Sequence, residues 1–425
     1  MTTLDRVFVR NADGKPLTPT KRFTKVRKML KRGDAIIYSY EPFTIQLVNQ
    51  KEVGNVQGMS LGVDVGSKHI GLSVNDGTCE HLGEQVDVLE DESLRISKRR
   101  EARRARRHYT TWHRKPRFNN RRRPEGWLPP SIQHKLDTHV DAILNALENL
   151  PIDKVTIEVP CFDTHKMVNP DVQGAGYQNG SQKGYKNVRD YVLDRDGHTC
   201  QVCGSTKHLK VHHIESRLSG GDAPNNLVTL CDTCHDAYHL GKINLDNIKR
   251  GQSLKHASQA SVIGAKLVDV LCEILPENVE LLVTDGLETA RIREALKVEK
   301  THVTDAGIIA GGDGVESCSV TYRRKKVRRH NRHYYKANLL KGGRKKRNTG
   351  LVDVQGFRRF DVVRLDGAEL CYVDGLRKSG FFKLRRFDGS LVVTSSSAAQ
   401  KKDSSVSWKR LELVNHSDGY VSWRE

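Results

Sequence analysis

The sequence has no long apolar run. It contains no stretch of about 18 apolar residues, the length that a membrane-spanning helix needs. The charged residues Asp5, Arg6 and Arg10 lie where a secretory signal would have its apolar segment. Because both features are absent, we expect no membrane span and no export, and we expect the protein to be cytoplasmic.

The cysteine content also does not suit a framework of disulfide bonds. The nine cysteines are an odd number, and four of them form two Cys-x-x-Cys pairs. A secreted disulfide framework uses an even number of cysteines, whereas paired Cys-x-x-Cys motifs in a reducing compartment are typical of metal sites. The composition therefore favours a metal centre over disulfides.

Acidic residues are nearly absent from two segments of this basic 425-residue chain, whose formal net charge is +20. The first basic segment, residues 95–123, contains 12 Arg, 2 Lys and one acid. The second basic segment, residues 323–347, contains 13 Lys or Arg and no acid, while the remainder of the chain has more acids than bases. Charge concentrated in this way predicts contact with a nucleic acid.

The two basic segments differ in their expected structure. The first has good helix composition with arginines around most of the circumference, and the second mixes cations with Tyr334 and Tyr335 as in a basic loop or hairpin. A solvated face is the alternative, although like-charged neighbours destabilise a helix that has no partner. The predicted nucleic-acid contacts are Arg99, Arg100, Arg103, Arg104, Arg106, Arg107, Arg114, Arg117, Arg121, Arg122, Arg323, Arg324, Lys325, Lys326, Arg328 and Arg329.

Four residues far apart in the sequence could form one catalytic site. Asp64 and Glu158 are single acids in strand-like strings, and His302 and Asp305 are one helical turn apart. Carboxylates are the ligands that Mg²⁺ prefers, and two such ions can stabilise both oxygens of a phosphodiester displacement. His302 could then position or deprotonate the attacking water. The alternative is that each acid makes an ordinary cap or salt bridge.

A second candidate site is compact in the sequence. Two Cys-x-x-Cys pairs predict a tetrahedral structural zinc centre; its four ligands are Cys200, Cys203, Cys231 and Cys234. Between and after these pairs lie histidines and an asparagine in the order His, Asn, His. We interpret His213 as a general base and Asn226 as part of the same site. The expected ligands of one Mg²⁺ ion are His212, His235 and His239. The alternative is a zinc ribbon whose histidines lie on the surface.

Together these motifs resemble the IscB family. Gly-Val-Asp-Val-Gly around Asp64, Ile-Glu-Val-Pro around Glu158 and His302-x-x-Asp305-Ala306 resemble the three split segments of a RuvC nuclease, and residues 200–239 resemble an inserted HNH nuclease. The strings Lys-Pro-Arg-Phe at 115–118, Trp-Leu-Pro-Pro-Ser-Ile at 127–132 and Gly-Lys-Pro-Leu-Thr-Pro-Thr at 14–20 are similar to further motifs of the family. This chain differs from the family in having His212 before the candidate base and Thr18 in the N-terminal motif.

The resemblance implies an α/β protein with a split RNase H-like core, an arginine-rich bridge helix, an inserted ββα-metal HNH domain with zinc knuckles and a small C-terminal β-domain. The implied divisions are a PLMP-like domain at 1–57, RuvC segment I at 58–90, the bridge helix at 91–125, RuvC segment II at 126–180, the HNH domain at 181–250, RuvC segment III at 251–320 and, at 321–425, a basic ribbon with a β-domain that binds a target-adjacent motif.

The resemblance also implies a transposon-associated, RNA-guided DNA endonuclease related to the CRISPR effectors. HNH would cut the guide-paired strand and RuvC the displaced strand, with two Mg²⁺ ions in RuvC, one in HNH and a structural Zn²⁺. Only about thirty residues separate the first basic segment from the strand of Glu158. This is too short for a recognition domain, so we expect a monomeric protein with a large structured guide RNA and a duplex DNA target. A guide-independent homing or branched-DNA endonuclease is the main alternative, and a repressor with decayed sites is another.

Overall fold

The structure is a computed structural model that describes residues 5–49, 56–89, 126–159, 184–215, 223–249, 255–312, 314–328, 351–393 and 405–425, with positions 92, 95–97, 99–101 and 251 between them. Two compact units divide the chain. The main unit comprises residues 1–92, 106–161 and 259–425, and the inserted unit comprises residues 93–105 and 162–258.

The chain contains both strands and helices, as a mixed α/β protein does. The strands are β1 (Val7–Arg10), β2 (Pro16–Thr20), β3 (Ala35–Tyr40), β4 (Phe43–Leu47), β5 (Met59–Asp64), β6 (His69–Asn75), β7 (Glu80–Asp87), β8 (Ile152–Glu158), β9 (Leu209–His213), β10 (Leu227–Cys231), β11 (Glu280–Thr284), β12 (Thr321–Lys326), β13 (Asp353–Val354), β14 (Phe357–Arg358), β15 (Val362–Leu365), β16 (Glu369–Gly375), β17 (Phe381–Arg385), β18 (Val406–Ser407), β19 (Leu411–Asn415) and β20 (Tyr420–Arg424). The α-helices are α1 (Phe23–Arg32), α2 (Pro130–Asn149), α3 (Val188–Arg195), α4 (Asp232–His239), α5 (Lys255–Ile274), α6 (Gly286–Leu296) and α7 (His302–Ile309).

A seven-stranded sheet forms the centre of the main unit. Its order is β11-β8-β5-β6-β7-β12-β20, with β5 parallel to β8 and antiparallel to β6. The predicted strands around Asp64 and Glu158 are confirmed. Alternating residues such as Leu61 and Val63 are fully buried, and α2 and α5 add Ile143 and Leu267 to the same apolar cluster. The mixed α/β class predicted from the sequence is therefore confirmed.

Two smaller sheets and a two-stranded pair, β13-β14, complete the main unit. The N-terminal sheet has the order β2-β1-β4-β3 and is covered by α1, which buries Val26. The C-terminal sheet has the order β18-β17-β16-β15-β19. Its β15–β16 hairpin turns at Asp366-Gly367, where both residues have positive φ as Asp-Gly hairpin turns require. The similar dipeptide Asp374-Gly375 instead forms the end of β16.

The inserted unit is a small ββα arrangement. Strands β9 and β10 pair antiparallel, with Leu227 opposite His213, and α4 follows β10 directly. The Arg195 guanidinium donates to the carbonyls of Pro224 at 2.7 Å and Leu227 at 2.8 Å, which ties α3 to the start of β10. Few apolar side chains are buried here, as in small domains that a metal stabilises.

None of the helices that the structure describes is long and apolar enough to cross a bilayer.

Candidate active sites and metal centre

The two acids of the predicted catalytic site lie side by side. Asp64 ends β5 and Glu158 ends β8, and the register of these parallel strands places the two residues opposite each other. Parallel strands present their carboxyl ends at one edge of a sheet, which is where ligands bind in many α/β proteins. The backbone thus brings together two acids that are far apart in the sequence.

Helix α7 reaches this sheet edge because two strand positions are glycine. A Cβ atom on Gly62 would lie 2.0 Å from the carbonyl oxygen of Ala306, and one on Gly71 would lie 1.9 Å from the carbonyl oxygen of His302. Any side chain there would push the helix away. At this close approach, His302 Nδ1 lies 2.5 Å from Asp64 Oδ2, and this hydrogen bond raises the pKa of His302.

Asp305, on the same helix, is held by a cation. The Arg293 Nη1 atom lies 2.6 Å from Asp305 Oδ1, and both side chains are largely buried. Glu158 has a raised pKa, because of burial first and then because of the negative charges of Asp64 and Asp305, although a hydrogen bond with Thr289 opposes this. Mutual repulsion of three carboxylates is the condition that a bound divalent cation relieves.

We call Asp64, Glu158, His302 and Asp305 the acid cluster. Among the described residues, three groups of metal-ligating side chains have all their ligand atoms within 4.8 Å of one another, and the acid cluster is not one of them. The four side chains share one region, but the three carboxylates stand further apart than a closed metal site requires. Their chemistry nevertheless fits Mg²⁺, which prefers few carboxylates and several waters.

Two polar residues beside the acid cluster were not predicted from the sequence. Arg293, on α6, contacts Asp305 as described above. His69 lies in β6 with its ring centroid 5.4 Å from that of His302, and its Nδ1 is 2.7 Å from Asp87 Oδ1. The signal for His69 was the β6–β7 hairpin, whose register pairs His69 with Asp87. No local signal marks Arg293, because its partner is on another helix.

The four predicted zinc ligands converge. The Sγ atoms of the cysteine cluster, Cys200, Cys203, Cys231 and Cys234, all lie within 4.8 Å of one another. Although burial acts in the opposite direction, backbone N–H groups such as that of Cys203 lower the pKa of Cys200 to about 6. Zinc binds thiolates tetrahedrally, so the convergence of four cysteines fits a structural zinc centre.

A histidine cluster, His212, His235 and His239, lies between β9 and α4. Its ring centroids are 4.5 to 5.3 Å apart, and its ligand nitrogens lie within 4.8 Å of one another. Burial and then the neighbouring histidines lower the pKa of His212 to about 4. The buried Nε2 of His212 has no hydrogen-bond partner in the described part of the chain. A neutral imidazole whose nitrogen has no hydrogen-bond partner can bind a metal ion.

The predicted ion for the histidine cluster does not match its ligands. Mg²⁺ binds oxygen, whereas imidazole nitrogen suits Zn²⁺, Ni²⁺, Fe²⁺ and Cu²⁺. The three nitrogens therefore fit a transition-metal ion better than the expected Mg²⁺.

Asn226 shapes the loop that follows His213. It is fully buried, its Oδ1 accepts from the Glu215 N–H at 2.9 Å, and its Nδ2 donates to the Glu215 carbonyl at 3.0 Å. The Ile214 N–H also donates to the Asn226 carbonyl at 2.9 Å. These contacts fix the end of β9, where His213 lies. Asn226 is thus a positioning residue for the candidate base.

Several predicted nucleic-acid contacts hold the main sheet together instead. The second basic segment begins in β12, not in a loop. Arg323 pairs with Glu425 at 2.8 Å, and Lys326 pairs with Asp141 at 2.8 Å. Arg324 is buried beside Glu84. These side chains make intramolecular pairs, and their contact with phosphates stays a prediction.

The other predicted contacts are only partly visible. Lys325 is exposed, and Arg99 and Arg100 are helical, as expected for a bridge helix. Arg328 is half-buried. The remaining arginines lie outside the described residues: Arg103, Arg104, Arg106, Arg107, Arg114, Arg117, Arg121, Arg122 and Arg329.

Comparison with solved structures and curated proteins gives partial matches. A 64-residue stretch is 34% identical to Anaredoxin of Nostoc sp. (strain PCC 7120 / SAG 25.82 / UTEX 2576) and covers 15% of this chain and 84% of that protein, so this stretch belongs to the same family. Cas9 of Streptococcus thermophilus in complex with the AGAA PAM is 12% identical with a TM-score of 0.31, over 49% of this chain and 30% of that chain. The complex with the GGAA PAM is 13% identical with a TM-score of 0.33, over 50% of this chain and 30% of that chain. This chain thus spans less than a third of either Cas9 chain.

Two family models match in succession. Residues 7–180 match the family described as RRXRR protein, and residues 200–240 match HNH endonuclease. The second match contains the cysteine cluster, the histidine cluster and His213, and the first contains Asp64 and Glu158. The predicted resemblance is confirmed: like the IscB-like nucleases, the chain has an RRXRR region followed by an HNH endonuclease domain.

Proposed function

We propose that the chain is an RNA-guided endonuclease that cuts both strands of duplex DNA, each strand in a separate active site. The observation that carries this proposal is the convergence of the acid cluster at one edge of the main sheet, in a chain that also has an HNH domain. One active site for each strand would account for cutting both strands, and the main unit and the inserted unit each contain one set of candidate catalytic side chains.

The acid cluster would be the RuvC site of a split RNase H-like core and would cut the displaced strand. Asp64, Glu158 and Asp305 would hold Mg²⁺, which when bound supplies Lewis-acid stabilisation to the phosphodiester oxygens. His302 is oriented by its Nδ1 hydrogen bond with Asp64, which leaves Nε2 to take a proton from water. Arg293 holds Asp305 in place.

The HNH domain would cut the guide-paired strand. His213 would act as the general base, positioned by the loop that Asn226 closes. The histidine cluster would hold a divalent ion, which when bound supplies positive charge to the scissile phosphate. The cysteine cluster would hold zinc and fix β10 and α4, whose residues include Cys231, Cys234, His235 and His239.

Guide recognition would follow the division of labour in RNA-guided enzymes, in which base pairing reads the target sequence and protein reads backbone shape and a short flanking motif. Helical Arg99 and Arg100, with the rest of the first basic segment, would contact the guide and its DNA hybrid. By resemblance, the C-terminal sheet would read the target-adjacent motif.

The test is to purify the full chain from cells that carry its flanking genomic DNA and to sequence any bound RNA. We expect one abundant RNA with a variable end, and we expect the complex to cut a plasmid that matches this end. Changing the matching target sequence should abolish cutting. Equal cutting of matched and mismatched plasmids by RNA-free protein would identify a guide-independent endonuclease instead.

A further inference from the structure

A buried lysine of α2 contacts the chain segment that follows Asp64. Lys135 is 8% exposed, and its Nζ atom donates to the carbonyl oxygen of Ser67 at 2.6 Å. The same amino group donates to Gln259 Oε1, on α5, at 2.9 Å. Ser67 belongs to residues 65–68, which join β5 to β6 and which we call the β5–β6 connection. One side chain thus ties this connection to two helices of the main unit.

The β5–β6 connection has a polar residue of the acid-cluster region at each end. Asp64 is the last residue of β5, and His69 is the first residue of β6. At the end of the connection, the Lys68 carbonyl accepts from the Val88 N–H at 2.8 Å. The hydrogen bond from α2 reaches the residue just before it. A displacement of the connection would therefore move Asp64 and His69, because both are bonded directly to it.

Packing alone does not account for a lysine at position 135. Burial of an amino group costs free energy unless hydrogen bonds replace its contacts with water. A methionine of similar length would fill the same volume without this penalty. The two hydrogen bonds that Lys135 donates to Ser67 and Gln259 are what the lysine adds. The structural effect of Lys135 is thus to hold the backbone of the β5–β6 connection in one place.

We propose that Lys135 is a positioning residue for displaced-strand cutting, which holds the Ser67 carbonyl and thereby fixes the position of the Asp64 carboxylate. This inference rests on the proposed function, which assigns displaced-strand cutting to the acid cluster. Groups that orient metal ligands typically change metal affinity or activity by about 10- to 100-fold when they are removed. The alternative is that Lys135 only stabilises the core, in which case its loss would not change the cutting rate of the folded enzyme.

The experiment compares two buried polar residues of α2 in the guide-loaded full chain. The test variant is Lys135→Met, and the control is Asn149→Leu. Asn149 also makes buried hydrogen bonds, to the Asn145 carbonyl at 2.7 Å and from Arg10 Nη2 at 3.4 Å. It lies about 21 Å further along the helix than Lys135. Loss of buried hydrogen bonds from α2 is therefore common to both variants, and loss of the contact with Ser67 is specific to the first.

Three measurements are made on each variant. Cutting of the two strands is followed separately at several concentrations of target and of Mg²⁺. Hydrogen exchange is measured in the RNA-free protein on peptides that span the β5–β6 connection. Thermal unfolding checks the fold.

We expect Lys135→Met to lower the maximal rate of displaced-strand cutting about a hundredfold, because a misplacement of about 1 Å can have this effect. The Mg²⁺ concentration for half-maximal cutting of that strand should rise about tenfold. Guide-paired-strand cutting and the Kd for target should not change, and exchange in the β5–β6 connection should become faster. Asn149→Leu should match the wild type in both cutting rates and in the exchange of the connection.

Two results would overturn the inference and leave the proposed function intact. One is wild-type cutting of the displaced strand by folded Lys135→Met, and the other is an equal loss in Asn149→Leu. If Lys135→Met does not fold, Gln259→Leu decides instead, because it removes one of the two acceptors. We expect it to speed exchange in the connection and to slow displaced-strand cutting, and no change in either would overturn the inference. If the wild-type complex leaves the displaced strand uncut, the proposed function and this role of Lys135 are both overturned.

Discussion

At the scale of single residues, the acid cluster depends on the absence of two side chains. Gly62 and Gly71 let the backbone of α7 contact β5 and β6 directly, and this contact brings His302 to Asp64. Neither glycine is among the described residues with a positive φ angle. The close approach of α7 is therefore the reason for glycine at both positions.

We predict that Gly71→Ala disables the acid cluster. The new methyl group would meet the His302 carbonyl at 1.9 Å, so α7 must shift, at a cost of about 1 to 3 kcal/mol for overpacking. Strand-specific nicking assays should show loss of displaced-strand cutting with target-strand cutting retained. Gly307→Ala is the matched control, because its Cβ would make only an ordinary 3.6 Å contact with Ser73. Equal displaced-strand activity in both variants would contradict this account of the glycines.

Local sequence was a good guide to some residues and a poor guide to others. The cysteine cluster and histidine cluster could be predicted because their ligands recur at short spacings. Arg324 could not be placed correctly, because its burial depends on Glu84, a partner more than two hundred residues away. A run of cations predicts exposure only when no distant acid pairs with it.

At the scale of elements, a single carboxylate links two strands of the C-terminal sheet. Asp374, in β16, lies 2.8 Å from the Arg385 Nε atom of β17 and 3.1 Å from Arg359 Nη2. Burial acts in the opposite direction, but these hydrogen bonds lower the pKa of Asp374 below 3.8. A depressed folded-state pKa contributes stability above the unfolded pKa, and this contribution is lost as the pH falls.

We therefore predict that Asp374→Asn destabilises the C-terminal sheet at pH 7, by about 1 to 2 kcal/mol, since hydrogen bonds to a charged group are lost. The difference from wild type should shrink as the pH falls below 3.8. Urea titration with pulsed hydrogen exchange on the peptides of this sheet measures both effects. Asp366→Asn, which removes an exposed pair with Arg410, should change stability little. A pH-independent loss in Asp374→Asn would contradict the pairing argument.

The histidine cluster leads to a prediction about metal dependence. Three imidazole nitrogens bind transition ions better than Mg²⁺. In an Asp64→Ala protein stripped of the cluster's ion, target-strand nicking should return with Ni²⁺ or Zn²⁺ and remain weak with Mg²⁺ alone. Titration with Co²⁺ should give the absorbance of a nitrogen-ligated ion, and His239→Ala should weaken this binding. Full nicking with Mg²⁺, together with no detectable Co²⁺ binding, would show that the ion is held by other ligands.

Individual strands could be predicted from the sequence, but their order in the sheets could not. The strands of Asp64 and Glu158 were predictable from their apolar alternation, and the HNH order from its motifs. The edge position of β3 was not, because Ala35–Tyr40 reads as an ordinary buried strand and its exposure follows from the sheet order. Strand order is a non-local property, which short patterns do not encode.

At the scale of the whole molecule, two sets of candidate catalytic residues lie in two compact units of one chain. The acid cluster belongs to the main unit, and His213 with the histidine cluster belongs to the inserted unit. Mutations in the two sets should have independent effects, because residues that share no partners usually behave additively. The central claim is therefore that each site cuts one strand and does not need the other site's chemistry.

The most direct test uses a guide-loaded complex and a duplex target labelled differently on its two strands. Asp64→Ala should cut only the guide-paired strand, His213→Ala should cut only the displaced strand, and the double variant should cut neither. Target binding, measured by gel shift, should remain in all three. Either single variant cutting both strands, or either one cutting neither while it still binds the target, would contradict the account of one active site per strand.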